Sequence, residues 1–172
     1  AYYSGVGGLA TINSFLSALD LPPTDAFTIR FSSQKENEIK HIIHREFAAE
    51  LQFLASRPLY EERGPFLFVH AGIHPEKGLH GSRKEEFLNI RESFIRHYHG
   101  DRFIIFGHTR TRQLHGSDDI YYGVNRVIGI DGGCAYGGQL NALIIQNTHP
   151  NDPPARVHPF PYVLQGTNVR PN

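Results

Sequence analysis

Two four-residue apolar runs, Phe66-Leu67-Phe68-Val69 and Phe103-Ile104-Ile105-Phe106, constrain the fold of this chain more than any other feature. Neither alternates polar with apolar residues, so each reads as a strand buried on both faces, as in the interior of a helix-covered sheet. The first leads into His70-Ala71-Gly72 and the second into Gly107-His108-Thr109. A helix predicted over Lys84 to His99 lies between them, which makes a strand–helix–strand unit and an α/β fold class. Val127-Ile128-Gly129-Ile130 and Leu140 to Ile145 read as two further strands, joined by the glycine-rich Asp131-Gly132-Gly133-Cys134-Ala135-Tyr136-Gly137-Gly138.

Upstream, Ile12, Phe15, Leu16 and Leu19 mark a short helix that Pro22-Pro23 ends. Ile39, Ile42, Ile43, Phe47, Leu51 and Leu54 recur at three- and four-residue spacing, which predicts one amphipathic helix from Glu36 to Ser56, closed by Pro58. Past Gln146 the sequence turns to proline, asparagine and histidine without periodicity. Residues 1–146 are therefore expected to form one domain and residues 147–172 an extended tail, packed on the surface or disordered.

Composition narrows the function classes. Lysine plus arginine (17) equals aspartate plus glutamate (17), so no basic footprint exists for nucleic acid or an anionic membrane surface. No apolar run reaches the roughly 18–20 residues that span a bilayer, and the N-terminus lacks a signal-peptide pattern. A single cysteine, Cys134, excludes an internal disulfide. Together these predict a soluble protein of a reducing compartment, the cytoplasm. Eleven histidines suit metal or phosphate chemistry, and the absence of methionine implies that the chain does not begin at a start codon.

His70 and His108 stand where open α/β sheets place ligands, at the C-terminal ends of interior strands. Each has a small residue close by, which permits close approach of backbone or ligand. If the two strands are neighbours, both imidazoles can face one ion; the alternative is a pair of histidines hydrogen-bonded at strand ends for structural reasons.

Phe68-Val69-His70-Ala71-Gly72-Ile73-His74-Pro75 resembles the histidine-alanine-glycine motif of the phosphoprotein-phosphatase and calcineurin-like metallophosphoesterases. Phe106-Gly107-His108-Thr109 resembles their glycine-histidine-threonine motif, and Ile130-Asp131-Gly132-Gly133 through Leu140 resembles the aspartate-threonine-glycine segment that follows. The resemblance runs from about Pro58 to Ile145 and is nearest to bacterial small protein phosphatases and symmetrical diadenosine tetraphosphatases. It implies the second half of a β-sandwich flanked by helices and hydrolysis of a phosphorylated substrate, a phosphoprotein or a dinucleoside polyphosphate. The implied cofactor is a pair of divalent ions, manganese, iron or zinc, with His70 and His108 as ligands of the same ion. Arg91 matches an isoleucine-arginine element that faces the site in bacterial relatives, and Asp131 is placed to orient a ligand.

Departures matter as much. The family's aspartate-x-histidine, aspartate-rich and asparagine-histidine-glutamate motifs do not occur in this chain, so it is expected to bind metal weakly or not at all by itself and to be inactive alone. The absent N-terminal half then becomes a potential partner. The alternative is a catalytically dead binding or interaction module. Position 132 is glycine where threonine is usual, a change expected to be minor.

Other candidates have plainer readings. Arg91 is equally well an exposed helical arginine, and Asp131 an organiser of its own turn. Arg110 and Arg112 can meet a leaving group or be solvated loop residues. His74, His80, His115 and His149 read as surface residues, and Cys134 has no charged activator nearby in sequence. Gly5 to Gly8 lack the lysine-serine or lysine-threonine of a phosphate-binding loop.

Overall fold

The structure is a computed structural model that describes residues 7–145 and 165–169. Residues 1–6, His149 and all of the expected tail except 165–169 lie outside the described residues. The chain divides into two compact units, residues 1–57 and 58–172.

The first unit is helical: α1 (Gly8–Ser17), α2 (Ala26–Phe31), α3 (Ser33–Glu46) and α4 (Ala48–Ala55). Asn13 pins the proline turn after α1 by donating to the Thr24 carbonyl (3.0 Å) and accepting from the Thr24 N–H (2.9 Å). Asp25 and Ser32 cap α2 and α3 through bonds from the Thr28 and Lys35 amides. The helix expected from Glu36 to Ser56 is two helices. Phe47 leaves helical geometry (φ −118°, ψ 32°) while its ring packs 4.6 Å from that of Phe15. The apolar stripe continues through the break, which is why its period hides it.

The second unit contains a five-stranded mixed sheet in the order β1-β2-β3-β5-β4, formed by Tyr60–Arg63, Phe66–Val69, Phe103–Phe106, Val127–Gly129 and Tyr121–Tyr122 in that spatial order. The three central strands run parallel, with Val69 beside Phe106 and Phe106 beside Gly129. Both edges are antiparallel. A second sheet pairs β6 (Leu140–Ile144) with β7 (Gln165–Val169), so part of the expected tail is a strand.

Alternation along the strands sends the two faces into different layers. Leu67, Val69, Ile104, Phe106 and Val127 face a helical layer carrying Phe87, Phe94, Ile95 and Tyr98. Phe66, Ile105 and Ile128 face Ile120 and, from the second sheet and its end, Leu143 and Ile145. Helices, sheet and second sheet form the expected α/β arrangement, and coverage of both faces accounts for the unbroken apolar runs.

Between β2 and β3 lie α5 (Gly78–Gly81), α6 (Lys84–Asn89) and α7 (Glu92–His97); α8 (Thr111–His115) follows β3. The single helix expected over 84–99 is broken at Ile90-Arg91, where both backbones are non-helical. Ile90 packs on the core and frees Arg91 for the site described below. Among the described residues no helix is long and apolar enough to cross a membrane.

Candidate metal centre

β2 and β3 are adjacent and parallel, so their C-terminal ends emerge together. The ladder continues one step past the strands through the Gly107 N–H, which donates to the His70 carbonyl at 2.9 Å. At Gly107 a Cβ would lie 3.6 Å from the His70 carbonyl oxygen, an ordinary contact distance. His108 then turns into the left-handed region (φ 62°), a conformation costly for most residues and concentrated at functional sites.

These turns bring the two imidazoles together, tilted at 54° to one another. His70 Nε2 lies 3.2 Å from His108 Nδ1, with ring centroids 4.9 Å apart. Two imidazole nitrogens on one tetrahedral ion, each roughly 2.0–2.1 Å from it, stand roughly 3.3 Å apart, so the observed spacing fits two ligands of a single ion. Without an ion, one nitrogen donates to the other. A third donor does not complete the set: no group of three or more histidine, cysteine, aspartate or glutamate residues among those described is arranged to hold a metal ion.

Charge around the pair favours neutral His108. Burial lowers its pKa below the usual 6.5, the positive charges of Arg91 and His70 push the same way, and Asp131 opposes them. Neutral imidazole is the form that ligates metal.

The structure brings Arg91 and Asp131 to this end of the sheet. Arg91 Nη1 donates to the His108 carbonyl at 3.1 Å, tying the break between α6 and α7 to the turn that carries the imidazole. Asp131 accepts from the Gly133 N–H (2.9 Å) through its carboxylate and from the Thr111 N–H (2.8 Å) through its carbonyl. Its carboxylate thus organises the turn that follows β5 while lying close enough to raise the His108 pKa.

The other candidates separate by contact. Arg112 is engaged by Asp118 in a bidentate pair at 2.8 and 2.5 Å. Arg110 stacks over the Tyr136 ring, 4.8 Å from its centroid. His74 Nδ1 accepts from the Glu76 and Lys77 amides, each at 3.2 Å, a local turn contact. His115 lies against the Asp119 carbonyl and the Tyr121 ring. His80 and the free Cys134 are exposed.

Gly132 is not the minor change its sequence context implied. A Cβ there would collide with the Gln139 carbonyl oxygen and lie 2.8 Å from both Asn141 Nδ2 and the Asp118 carbonyl oxygen. Those atoms belong to a network in which Asn141 donates to Asp118 (2.7 Å) and Gln139 donates to Asp119 (2.8 Å) and Asn141 (3.0 Å). Tyr136 went unnoticed in the sequence; an aromatic residue isolated among glycines was its only signal.

No protein-family model matches the chain. The asymmetrical bis(5'-nucleosyl)-tetraphosphatase PrpE of Anoxybacillus flavithermus is 26% identical over 133 residues, covering 67% of this chain and 50% of that protein. The protein of the same name from Oceanobacillus iheyensis is 29% identical over 148 residues, covering 76% of this chain and 53% of that protein. This chain therefore spans about half the length of the relatives it matches. A solved structure provisionally described as a diadenosine tetraphosphatase gives a TM-score of 0.48 at 15% identity, over 92% of this chain and 64% of that one. That likeness is below the level at which a shared fold is shown. The names of both relatives specify the asymmetrical kind of tetraphosphatase, where the sequence motifs resembled the symmetrical kind.

Proposed function

We propose that the intact protein is a divalent-metal-dependent hydrolase of a phosphorylated substrate, with His70 and His108 as two ligands of one ion of a pair. The 3.2 Å approach of His70 Nε2 to His108 Nδ1, at the ends of two adjacent parallel strands, carries this reading, because it matches the spacing of two ligands on a shared ion. Bound manganese, iron or zinc would neutralise phosphate charge and lower the pKa of a water nucleophile. His70 and His108 bind through neutral imidazole; Arg91 fixes the backbone of His108 and keeps further N–H groups for a phosphate oxygen. Asp131 holds the turn after β5 in place. Two neutral ligands leave the charge of a two-ion centre uncompensated, so its carboxylate donors must come from outside the described residues.

A dinucleoside tetraphosphate is the favoured substrate, on the names of the relatives, and asymmetrical cleavage would yield a nucleoside triphosphate and a monophosphate. A phosphoprotein is the second substrate class. The test is manganese-dependent hydrolysis of bis(5'-adenosyl) tetraphosphate and of a phosphopeptide by the full-length protein, its His70→Ala and His108→Ala variants, and a chelator-treated control. Each substitution is expected to lower kcat by at least about a hundredfold, the order of loss when a metal site is disrupted. Activity that survives His108→Ala, or no hydrolysis of either substrate with any of the three metals, would overturn the reading and favour a binding module.

A further inference from the structure

The start of α8 and the Gly132–Gly138 loop border an open cleft of about 180 Å³ lined by Arg110, Arg112, Asp118, Tyr136 and the loop glycines. It is smaller than the roughly 300–1,000 Å³ that accommodates a whole ligand, which suits it to one part of a larger molecule. Arg110 lies two residues past His108 and Gly132 directly follows Asp131, so the cleft adjoins the C-terminal end of the same sheet.

Its two side chains of interest have unspent capacity. Tyr136 is 78% exposed although one face of its ring is under the Arg110 guanidinium at 4.8 Å. An exposed tyrosine held between glycines by a short 3₁₀ turn (Cys134–Tyr136) offers its other face to a flat aromatic group. Arg110 has no acidic partner among the described residues, whereas the charge of Arg112 is met by Asp118. Stacking fixes the guanidinium plane and leaves its N–H edge for an anion. Loop amides offer little more, because those of Tyr136, Gly137, Gly138 and Gln139 are bonded within the loop.

We propose that this cleft is a nucleotide subsite: the base stacks on Tyr136 and the adjoining phosphate meets Arg110. The inference deepens the proposed function by assigning a place to the part of a nucleotide substrate away from the hydrolysed bond, and it rests on that reading for its biological role. Binding itself can be tested independently.

Saturation-transfer NMR on the protein in EDTA, with adenosine monophosphate and ribose 5-phosphate as probes, removes any contribution from a bound ion. The adenine protons are expected to receive saturation. Tyr136→Leu should weaken adenosine monophosphate about tenfold, the order of one base–aromatic stack, and leave ribose 5-phosphate unchanged. Arg110→Gln should weaken both. Unsaturated adenine protons, equal affinity of the native protein for the two probes, or an unaffected Tyr136→Leu variant would each overturn the subsite. Loss of base binding with intact phosphoester hydrolysis sinks the subsite alone; base binding without hydrolysis sinks the proposed function alone.

Discussion

Gly72→Ala should be among the most damaging single-methyl additions to this protein, and its cost can be worked from the packing of the histidine-alanine-glycine turn. Gly72 has φ 154° and is buried directly beneath the first turn of α7. A Cβ there would lie 2.8 Å from both Ile90 Cγ2 and Phe94 Cγ, and closer still to Phe94 Cδ1. The Phe94 ring cannot easily retreat: it is fully buried and stands edge-on to Phe106 at 5.5 Å. Overpacking costs about 1–3 kcal/mol and the unfavourable backbone about 1–3 kcal/mol, so the substitution should destabilise by about 2–6 kcal/mol. That is a large part of a typical stability of about 5–15 kcal/mol. Urea unfolding followed by circular dichroism measures it, with Phe94→Ala as the partner variant. Phe94→Ala alone should cost about 3–5 kcal/mol, but it removes the obstructing ring. Gly72→Ala in that background should therefore cost at least about 1 kcal/mol less than in the native protein, a coupling expected only of groups in contact. A cost of Gly72→Ala below about 1 kcal/mol, or strict additivity of the two changes, would refute the reasoning.

Three other positions carry expectations of their own. Asn125 donates at 2.9 Å to the carbonyls of both Ile95 and Tyr98, clamping the turn before β5 to the end of α7. Asn125→Ala should cost about 1–3 kcal/mol in the same unfolding assay, and an unchanged midpoint would show that water replaces the clamp. Gly132→Thr should destabilise by about 1–3 kcal/mol through collision with Asn141 and two backbone carbonyls, and a variant as stable as the native protein would show that the network yields. Burial pushes the Tyr98 phenol above its usual 10.0, where it donates to the Arg102 carbonyl at 3.1 Å. The unfolded chain ionises first, so this contribution is complete below pH 10.0 and disappears as pH rises through the folded value. Tyr98→Phe should flatten the alkaline limb of a stability–pH profile, and an identical limb would assign it to other groups.

The three arginines near the site make different contacts on physical grounds. Arg91 reads equally as an exposed helical residue or a site residue by sequence, and in the structure the backbone at Ile90-Arg91 is non-helical and the guanidinium donates to the His108 carbonyl. Arg112 shared a motif with Arg110, yet Asp118 engages it and leaves Arg110 to stack on Tyr136. Neighbouring residues of one type thus acquire different chemistry from partners distant in sequence.

By itself the sequence determined the interior strands and the positions of His70 and His108, since an apolar run needs only burial on both faces to become a central strand. It also determined the α/β class, because strands separated by helical spacing leave few other arrangements. Tertiary structure decided the rest. The polar edge strand Tyr60–Arg63 and the two-residue Tyr121–Tyr122 carry no apolar pattern and exist through pairing with β2 and β5. Breaks at Phe47 and Ile90-Arg91 fall inside continuous apolar stripes, where period alone cannot reveal them. Above all, parallel register set Val69 beside Phe106, and that register is what brings two histidines 38 positions apart in sequence to 3.2 Å in space.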